Sequence, residues 1–305
     1  MAVVFERVAV IGVGLIGASI ARAARAEGAA GEVALYDADE GVRARARALE
    51  LGEVCDSAAA AAAGADLVIL AVPVGAMAKA LEAAAPGVKP GAIITDVGSV
   101  KGAVVQALRP LAPRDALLIP GHPIAGTEHS GPDAGFATLF KGRWHILTPL
   151  DDPRPEYAAG LDRLEAFWRA LGANVERMDL ARHDVVLAVT SHLPHLIAFN
   201  IVAMAEDLES VTESEVVKFS ASGFRDFTRI AASDPTMWRD VFLNNREAVL
   251  EVLGRFSEDL AALQRAIRWG EGDALYDLFD RARRMRREVI EAGQDTPAPN
   301  WGREN

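Results

Sequence analysis

The chain has 305 residues and a net charge of −11, with 32 lysines and arginines against 43 aspartates and glutamates. This balance argues against nucleic-acid binding, which needs a basic surface to neutralise phosphates. The single cysteine, Cys55, excludes a disulfide framework within one chain and favours a reducing compartment, so we expect a cytoplasmic protein. No signal peptide is visible, and apolar runs such as Leu67–Val74 are much shorter than the roughly 20 residues of a membrane span, so no membrane partner is expected.

Short apolar runs alternate with helical patterns through the first half of the chain. The predicted strands are Val8–Ile11, Glu32–Tyr36, Leu67–Ala71, Ala92–Asp96, Ala116–Ile119, Trp144–Thr148 and Asn174–Arg177. The predicted helices between them are Ile16–Glu27, Glu40–Leu51, Ala76–Ala85, Lys101–Leu108 and Pro155–Leu171. Strands that read as continuous Val/Ile/Leu runs are buried on both faces. The alternation therefore predicts an α/β domain with a doubly wound parallel sheet over residues 1–178.

Only helical patterns follow Met178. They cover Asp179–Asn200, Ala203–Leu208, Ser233–Arg255, Ser257–Trp269 and Ala274–Ala292. We therefore predict an all-helical domain over residues 179–292, followed by a flexible tail at 293–305. These helices are very apolar and must be buried, which predicts a two-fold homodimer. The alternative is that they cover the first domain.

A glycine-rich turn, Gly12–Gly17, joins the first strand to the first helix. Gly12 permits the tight turn, Gly14 lets the backbone approach a pyrophosphate, and Gly17 lets the helix pack close to the sheet. The N–H groups that open the helix, around Leu15 and Ile16, would then bind phosphates. The turn predicts a site for a dinucleotide cofactor.

An acidic residue, Asp37, comes twenty positions after Gly17, at the end of the second strand. A carboxylate there accepts hydrogen bonds from ribose hydroxyls and repels a 2′-phosphate, so NAD is predicted over NADP. The alternative is that Asp37 caps the helix that starts near Glu40. Arg43 and Arg45 lie nearby and leave NADP open.

Later strands end in residues that could complete this site. Val72 and Pro73 follow one strand and are expected beside the cofactor, because ligands bind at the carboxyl ends of parallel strands. The alternative for Pro73 is a plain strand terminator. Two polar loops contain Ser99 and His122, so a hydroxyl and an imidazole are expected near the nicotinamide.

Two further segments lie in the helical half. Thr190–His195 contains His192 and His195, which are three residues apart and share a helical face. Gly223–Arg229 contains two arginines that could bind an anion.

Together these motifs resemble the prephenate/arogenate (cyclohexadienyl) dehydrogenase family of tyrosine biosynthesis. The resemblance spans residues 5–290 and has five ordered motifs: Gly12–Gly17, Asp96–Lys101, His122–Glu128, Ser191–His195 and Gly223–Arg229. Many dehydrogenases share the first motif, whereas the combination of the other four is specific. The resemblance implies a Rossmann-type NAD-binding domain followed by an all-helical dimerisation domain. It also implies oxidative decarboxylation of prephenate to 4-hydroxyphenylpyruvate, or of arogenate to tyrosine.

The resemblance also implies residue roles. His122 would accept the proton of the substrate hydroxyl, and Ser99 would orient His122 and that hydroxyl. Arg225 would bind a substrate carboxylate, His192 would contact the substrate, and Glu128 would lie near the arginine as an ion-pair gate.

The residues by themselves leave other roles open. His122 could serve packing in its loop, Ser99 could cap a helix beginning near Val100, and His192 could be a satisfied core histidine. Lys101 could approach the cofactor or only end its loop. His195 is expected to be structural and Arg229 to be a salt-bridge partner.

Other functions are less well matched by these patterns. The histidines and the cysteine show no zinc-ligand spacing, so no metal is predicted. A β-hydroxyacid dehydrogenase or a pyrroline-carboxylate reductase would share the glycine turn and a helical dimer but would not call for His122–Glu128 together with Ser191–His195. A non-catalytic NAD-sensing protein would not need Ser99, His122 and Arg225 together.

Overall fold

The computed structural model describes residues 3–212, 218 and 220–291. The predicted tail at 293–305 lies outside the described residues. Contacts divide the chain into two compact units, Met1–Val249 and Leu250–Asn305. The predicted boundary at residue 178 is a change of secondary structure inside the first unit, and it stays a prediction about domains.

A six-stranded parallel sheet forms the centre of the first unit. Its strands are β1 (Phe5–Ile11), β2 (Ala30–Tyr36), β3 (Glu53–Val54), β4 (Leu67–Leu70), β5 (Ile93–Asp96) and β6 (Leu117–Leu118). The spatial order is β3-β2-β1-β4-β5-β6, so the chain starts in the middle and winds both ways. This confirms the predicted doubly wound sheet. β3 escaped prediction because two residues are too few to show a periodic pattern.

The strand register brings the ends of neighbouring strands together. Ile11 at the end of β1 pairs with Tyr36 of β2 and with Leu70 of β4. Leu70 in turn pairs with Asp96 of β5. The loops after these four strands therefore share one edge of the sheet, which is where an open α/β sheet binds its ligand.

Helices cover both faces of this sheet. They are α1 (Leu15–Ala26), α2 (Glu40–Ala48), α3 (Ala58–Ala62), α4 (Met77–Ala84) and α5 (Gly102–Leu108). One buried apolar cluster includes Phe5 and Trp168, and another includes Met77 and Val104, so each face has its own core. Burial on both faces explains why the strands read as unbroken apolar runs.

A second, three-stranded sheet follows. It contains β7 (Gly121–Pro123), β8 (Trp144–Leu147) and β9 (Asn174–Arg177), with α6 (Pro155–Ala170) between the last two. β7 and β8 are antiparallel, and β8 and β9 are parallel. His122 was predicted in a loop, but it lies in β7 opposite Ile146. A three-residue strand that contains a proline is too short to show alternation, so no sequence pattern indicated it.

The helical part begins with α7 (Leu180–Leu187), which Asp179 caps by accepting from the N–H groups of Ala181 and Arg182. A π-helical turn at Ala188–His192 then leads into α8 (Leu193–Thr212). The sequence predicts one helical stretch here, over Asp179–Asn200, with a kink at Pro194. Proline has no N–H to donate to the preceding turn, so Pro194 favours such an irregularity.

Four more helices follow among the described residues. They are α9 (Ser222–Thr228), α10 (Pro235–Asn244), α11 (Arg246–Trp269) and α12 (Gly272–Glu291). The predicted break near residue 256 is wrong, because the helix is interrupted at Asn245 and α11 then runs unbroken. In the second unit, Ile267, Trp269 and Tyr276 are 68, 72 and 70% exposed, which is unusual for large apolar side chains.

The helical stretch Leu180–Asp207 contains an 18-residue window with a mean hydropathy of 1.7, and it is long and apolar enough to cross a membrane by length and composition. This helical stretch is longer than the uninterrupted apolar runs, such as Leu67–Val74, that were considered in the sequence. Core helices of soluble proteins meet the same criteria. The hydrogen-bonded polar side chains of Asp184 and His192 lie within it.

Candidate active site

The glycine turn has the shape that a dinucleotide requires. Gly12 has a φ of +101°, and a Cβ there would lie 2.5 Å from the carbonyl oxygen of Ala71. A Cβ on Gly17 would lie 2.0 Å from the carbonyl oxygen of Gly12, so the helix can sit this close only with glycine. A Cβ on Gly14 would meet nothing within 4 Å, and no side chain caps α1. Open space beside uncapped N–H groups fits a pyrophosphate.

Asp37 lies at the carboxyl end of β2 and contacts the glycine turn. One carboxylate oxygen accepts from the N–H of Val13 at 2.8 Å, and the other accepts from the N–H of Asp39 at 2.9 Å. The alternative role as a helix cap is wrong, because Asp39 caps α2 by accepting from Val42. Asp37 is therefore fixed beside the glycine turn, and its contact with a ribose stays a prediction.

The two arginines that could accept a 2′-phosphate are both engaged. Arg43 donates to the carbonyl oxygens of Asp37 and Ala38 and lies over the ring of Tyr36. Arg45 forms a bidentate ion pair with Asp133. Both arrangements favour NAD over NADP.

The remaining predicted cofactor residues lie at the same edge. Val72 contacts the position where a side chain on Gly12 would stand. Pro73 immediately precedes the 3-10 turn Val74–Ala76. Pro73 both ends the strand region and shapes the loop next to the glycine turn.

His122 is 7% exposed and reaches the helical part of the unit through its Nδ1 atom. Nδ1 lies 3.0 Å from Nε2 of His183, and Nδ1 of His183 lies 2.9 Å from Oδ1 of Asp184. No described residue hydrogen-bonds to Nε2 of His122, which leaves this atom for a substrate.

Asp184 also caps α5 from a distant part of the chain. Its Oδ1 accepts from the N–H of Lys101 and its Oδ2 from the N–H of Gly102, both at 2.8 Å. The alternative role of Ser99 as the cap of this helix is therefore wrong. The residue that orients His122 through its Nδ1 atom is His183 and not Ser99. Ser99 remains a prediction for contact with the substrate hydroxyl.

Lys101 is bound within the protein interior. Its ammonium group is fully buried, forms an ion pair with Asp96, and donates to the carbonyl oxygen of Gly121 at 2.7 Å. Asp96 also accepts from the N–H of Gly98 at 2.8 Å. These bonds fasten the loop that contains Ser99 to the strand that contains His122.

His192 lies in the π-helical turn and is held by Asn245. The amide Nδ2 of Asn245 donates to the backbone oxygen of Asp184 at 2.8 Å and lies 3.0 Å from Nδ1 of His192. Because an amide nitrogen only donates, Nδ1 of His192 accepts and its Nε2 carries the proton in the neutral ring. Among the described residues, this buried Nε2 has no hydrogen-bond partner of good geometry. The backbone of Ser99 lies close enough to raise the pKa of the ring, but burial outweighs this effect. A substrate oxygen would satisfy this Nε2 atom.

His195 has a structural environment, as expected. Its ring stacks on Trp238 at 3.7 Å between centroids, and its Nδ1 donates to the carbonyl oxygen of Ser191 at 2.9 Å.

The acidic gate predicted beside Arg225 has a different partner. Glu128 forms an ion pair with Arg229 at 3.0 Å. The side chain of Arg225 is 73% exposed and lies 3.5 Å from the carboxylate of its neighbour Asp226. Arg229 was expected to be a salt-bridge partner, and it takes the position next to Glu128 that was expected for Arg225.

Burial controls the protonation of the histidines. It lowers the pKa of His122 well below its usual value, and His183 and Lys101 lower it further. Burial also lowers the pKa of His183 against the opposing hydrogen bond to Asp184, and it lowers the pKa of His192 to about 4. The rings are therefore neutral at pH 7, as a general base must be before it accepts a proton.

The carboxylate of Asp184 stays ionised. Burial alone would raise its pKa, but the hydrogen bonds from His183, Lys101 and Gly102 outweigh burial and lower it. Within residues 3–212, 218 and 220–291, no group of three His, Cys, Asp or Glu side chains is arranged to hold a metal ion.

A glycine turn with a carboxylate fixed beside it, together with a neutral buried histidine, is typical of a nucleotide-dependent dehydrogenase. Residues 20–177 match the family described as prephenate dehydrogenase, nucleotide-binding domain, and residues 179–281 match prephenate dehydrogenase, dimerization domain. The chain belongs to the prephenate dehydrogenase family. This confirms the predicted family, fold class and enzyme class.

Individual relatives agree with this assignment. The cyclohexadienyl dehydrogenase of Zymomonas mobilis is 44% identical over 93% of this chain and 96% of its own length. The prephenate dehydrogenase of Aquifex aeolicus, in complex with hydroxyphenyl propionate and NAD+, superposes with a TM-score of 0.84, at 33% identity over 93% of this chain and 98% of that one. The arogenate dehydrogenase of Synechocystis gives a TM-score of 0.76 at 26% identity, over 93% of this chain and all of that one. The alternatives of another dehydrogenase family or an NAD sensor are not favoured.

Sequence reasoning missed three residues of this network: His183, Asp184 and Asn245. The sequence did contain one signal, a His-Asp pair at His183 and Asp184 on the first helix after the sheet. Asn245 gave no signal, since it interrupts a stretch that reads as continuous helix.

Proposed function

We propose that this chain catalyses the NAD-dependent oxidative decarboxylation of prephenate to 4-hydroxyphenylpyruvate, and that it accepts arogenate as a second substrate. The observation that carries the proposal is His122, a neutral histidine whose Nδ1 is held by His183, while none of the described residues hydrogen-bonds to its Nε2. The glycine turn and Asp37 would hold NAD+, which would supply the acceptor for the hydride of the ring carbon that carries the hydroxyl.

His122 takes the hydroxyl proton on Nε2 as that carbon acquires a double bond to oxygen. The ring then becomes an electron sink, so carbon dioxide leaves and the ring becomes aromatic. His192 donates from Nε2 to a substrate oxygen, and Ser99 contacts the hydroxyl. Holding these groups at reacting distance supplies much of the remaining rate enhancement.

A direct assay tests this function. Purified protein is mixed with NAD+ and prephenate, and NADH absorbance and carbon dioxide release are followed together. We expect both products in equal amounts. The ratio of kcat/KM for prephenate to that for arogenate then gives the preference. NAD+ binding without NADH formation from either substrate would contradict the proposal.

We propose that Arg229 binds the substrate carboxylate, because it is the arginine that forms the ion pair with Glu128. The sequence favours Arg225, whereas Arg229 is tied to the segment that follows His122. We expect Arg229→Ala to raise KM for prephenate about 10- to 100-fold, as for the loss of a charged hydrogen bond, with little change in kcat. Arg225→Ala is the matched control and should have a smaller effect. The opposite ranking would return the role to Arg225.

Asp37 should determine the choice of cofactor. We expect Asp37→Ala to raise the KM for NAD+ about 10- to 100-fold, because it loses charged hydrogen bonds, and to increase the relative use of NADP+. Asp39→Ala is the control, since this carboxylate caps α2 and has no contact with the turn. It should cost about 1 kcal/mol of stability without changing the ratio of kcat/KM values for the two cofactors.

We further propose a cytoplasmic homodimer that forms through the C-terminal helices and binds neither membrane nor nucleic acid. The exposed apolar side chains of the second unit support an interface, and residues 179–281 match a dimerization domain. Sedimentation of the purified chain tests this, with twice the chain's 32.5 kDa as the expected mass.

A further inference from the structure

Two side chains that the proposed reaction does not use, the buried His183 and the partly buried Asp184, connect His122 to the start of α5. His183 is fully buried and contacts His122 edge-on, with ring centroids 5.2 Å apart. Two hydrogen bonds link the three side chains: the His122–His183 bond is 3.0 Å long and the His183–Asp184 bond is 2.9 Å long. All three residues belong to the first compact unit.

The direction of each hydrogen bond follows from the chemistry of the groups. The Asp184 carboxylate is ionised and can only accept, so Nδ1 of His183 donates to it. A neutral imidazole has one N–H, so Nε2 of His183 accepts. Nδ1 of His122 must then donate, and the lone pair of His122 lies on Nε2.

This tautomer is the one that the proposed reaction needs. The opposite tautomer would place a proton on Nε2 of His122 and could not take the hydroxyl proton there. In water the two tautomers of histidine exchange freely, so a fixed partner at Nδ1 removes a non-reactive state.

We propose that His183 and Asp184 are positioning residues that hold His122 as the reactive tautomer and stabilise it when it is protonated. This inference rests on the proposed function of His122. In the reaction the O–H bond of the substrate breaks and an N–H bond forms at Nε2. The positive charge then lies on the His122 ring and is balanced through His183 by Asp184, without transfer of a second proton.

Other charged and titratable groups surround His122 and His183. Lys101, His145 and His192 act on His122 and disfavour its protonated form, while Asp96 favours the protonated form of His183. Asp184 is the carboxylate that accepts a hydrogen bond from the histidine pair directly. Removing its charge should therefore lower the pKa of the histidine pair.

Two amide substitutions separate the two ends of His183. Glutamine can place an acceptor oxygen near the position of Nε2, whereas asparagine reaches only to the position of Nδ1. We expect His183→Asn to lower kcat about 100-fold, within the range for general-base catalysis, and His183→Gln to recover most of it. NAD+ affinity, measured by fluorescence, should be unchanged in both. A purely structural role would make the two variants equally slow.

Two further measurements address the tautomer and the charge. In protein with ¹⁵N-labelled histidine, the His122 signal, assigned by its loss in His122→Asn, should report Nδ1–H in the wild type and His183→Gln but not in His183→Asn. Asp184→Asn should move the acidic limb of the kcat/KM profile to lower pH and lower its plateau.

Equal kcat values for the two His183 variants, or ¹⁵N shifts of His122 that do not respond to them, would overturn the inference. An inactive wild type with prephenate would instead contradict the proposed function. The ¹⁵N measurement needs no turnover, so it judges the His122–His183–Asp184 chain in either case.

Discussion

His122→Asn should lower kcat for prephenate by about 10²- to 10⁴-fold, the usual contribution of a positioned general base. The amide of asparagine can donate and accept hydrogen bonds but cannot take up the hydroxyl proton. The affinity for NAD+ should be nearly unchanged, because the glycine turn and Asp37 do not contact this side chain in the hydrogen bonds that the structure describes.

Stopped-flow measurement of NADH formation at saturating substrate checks this expectation, with NAD+ titration as the control for binding. His129→Asn is a matched variant, since His129 is half exposed and lies on the same segment of the chain. It should keep normal kcat. A normal kcat in His122→Asn would remove the proposed mechanism.

Lys101→Met should have the largest effect on folding. It leaves Asp96 buried without its cation, and breaking a buried ion pair in this way costs about 3–5 kcal/mol. The hydrogen bond to the carbonyl oxygen of Gly121 is lost as well. Urea unfolding of the purified variant measures the loss in the free energy of unfolding.

A surface pair provides the comparison. Lys89 lies 2.7 Å from Asp66 and is 41% exposed, so Lys89→Met should cost at most about 1 kcal/mol. The double variant Asp96→Asn, Lys101→Met removes both charges and should recover part of the stability lost in Lys101→Met. Equal losses for Lys89→Met and Lys101→Met would show that burial does not determine the strength of these pairs.

Local patterns account for what could be predicted. The β1 strand, the glycine turn and Asp37 lie within 33 residues, and each has a composition that few other structures share. Continuous apolar runs and their spacing therefore identified the parallel sheet and its cofactor edge. Motifs that resemble a family identified His122 and His192.

Contacts between segments that are distant in the sequence explain which features of the site could not be predicted. The approach of His183 to His122 joins residues 61 positions apart, and the cap of α5 by Asp184 joins residues 83 positions apart. No pattern within either segment specifies the other. Arg225 and Arg229 are four positions apart on nearly the same helical face, so sequence could not tell which one meets Glu128.

The π-helical turn at Ala188–His192 determines how two histidines are presented. In a regular α-helix, residues nine positions apart, such as His183 and His192, would project about 180° apart. One extra residue absorbed in a π turn reduces this angle to about 80°. Both imidazoles can then join one polar network through Asp184 and Asn245. If the same residues formed a regular α-helix instead, the angle would return to about 180° and one histidine would leave the network, so the wider turn sets the relative direction of His183 and His192.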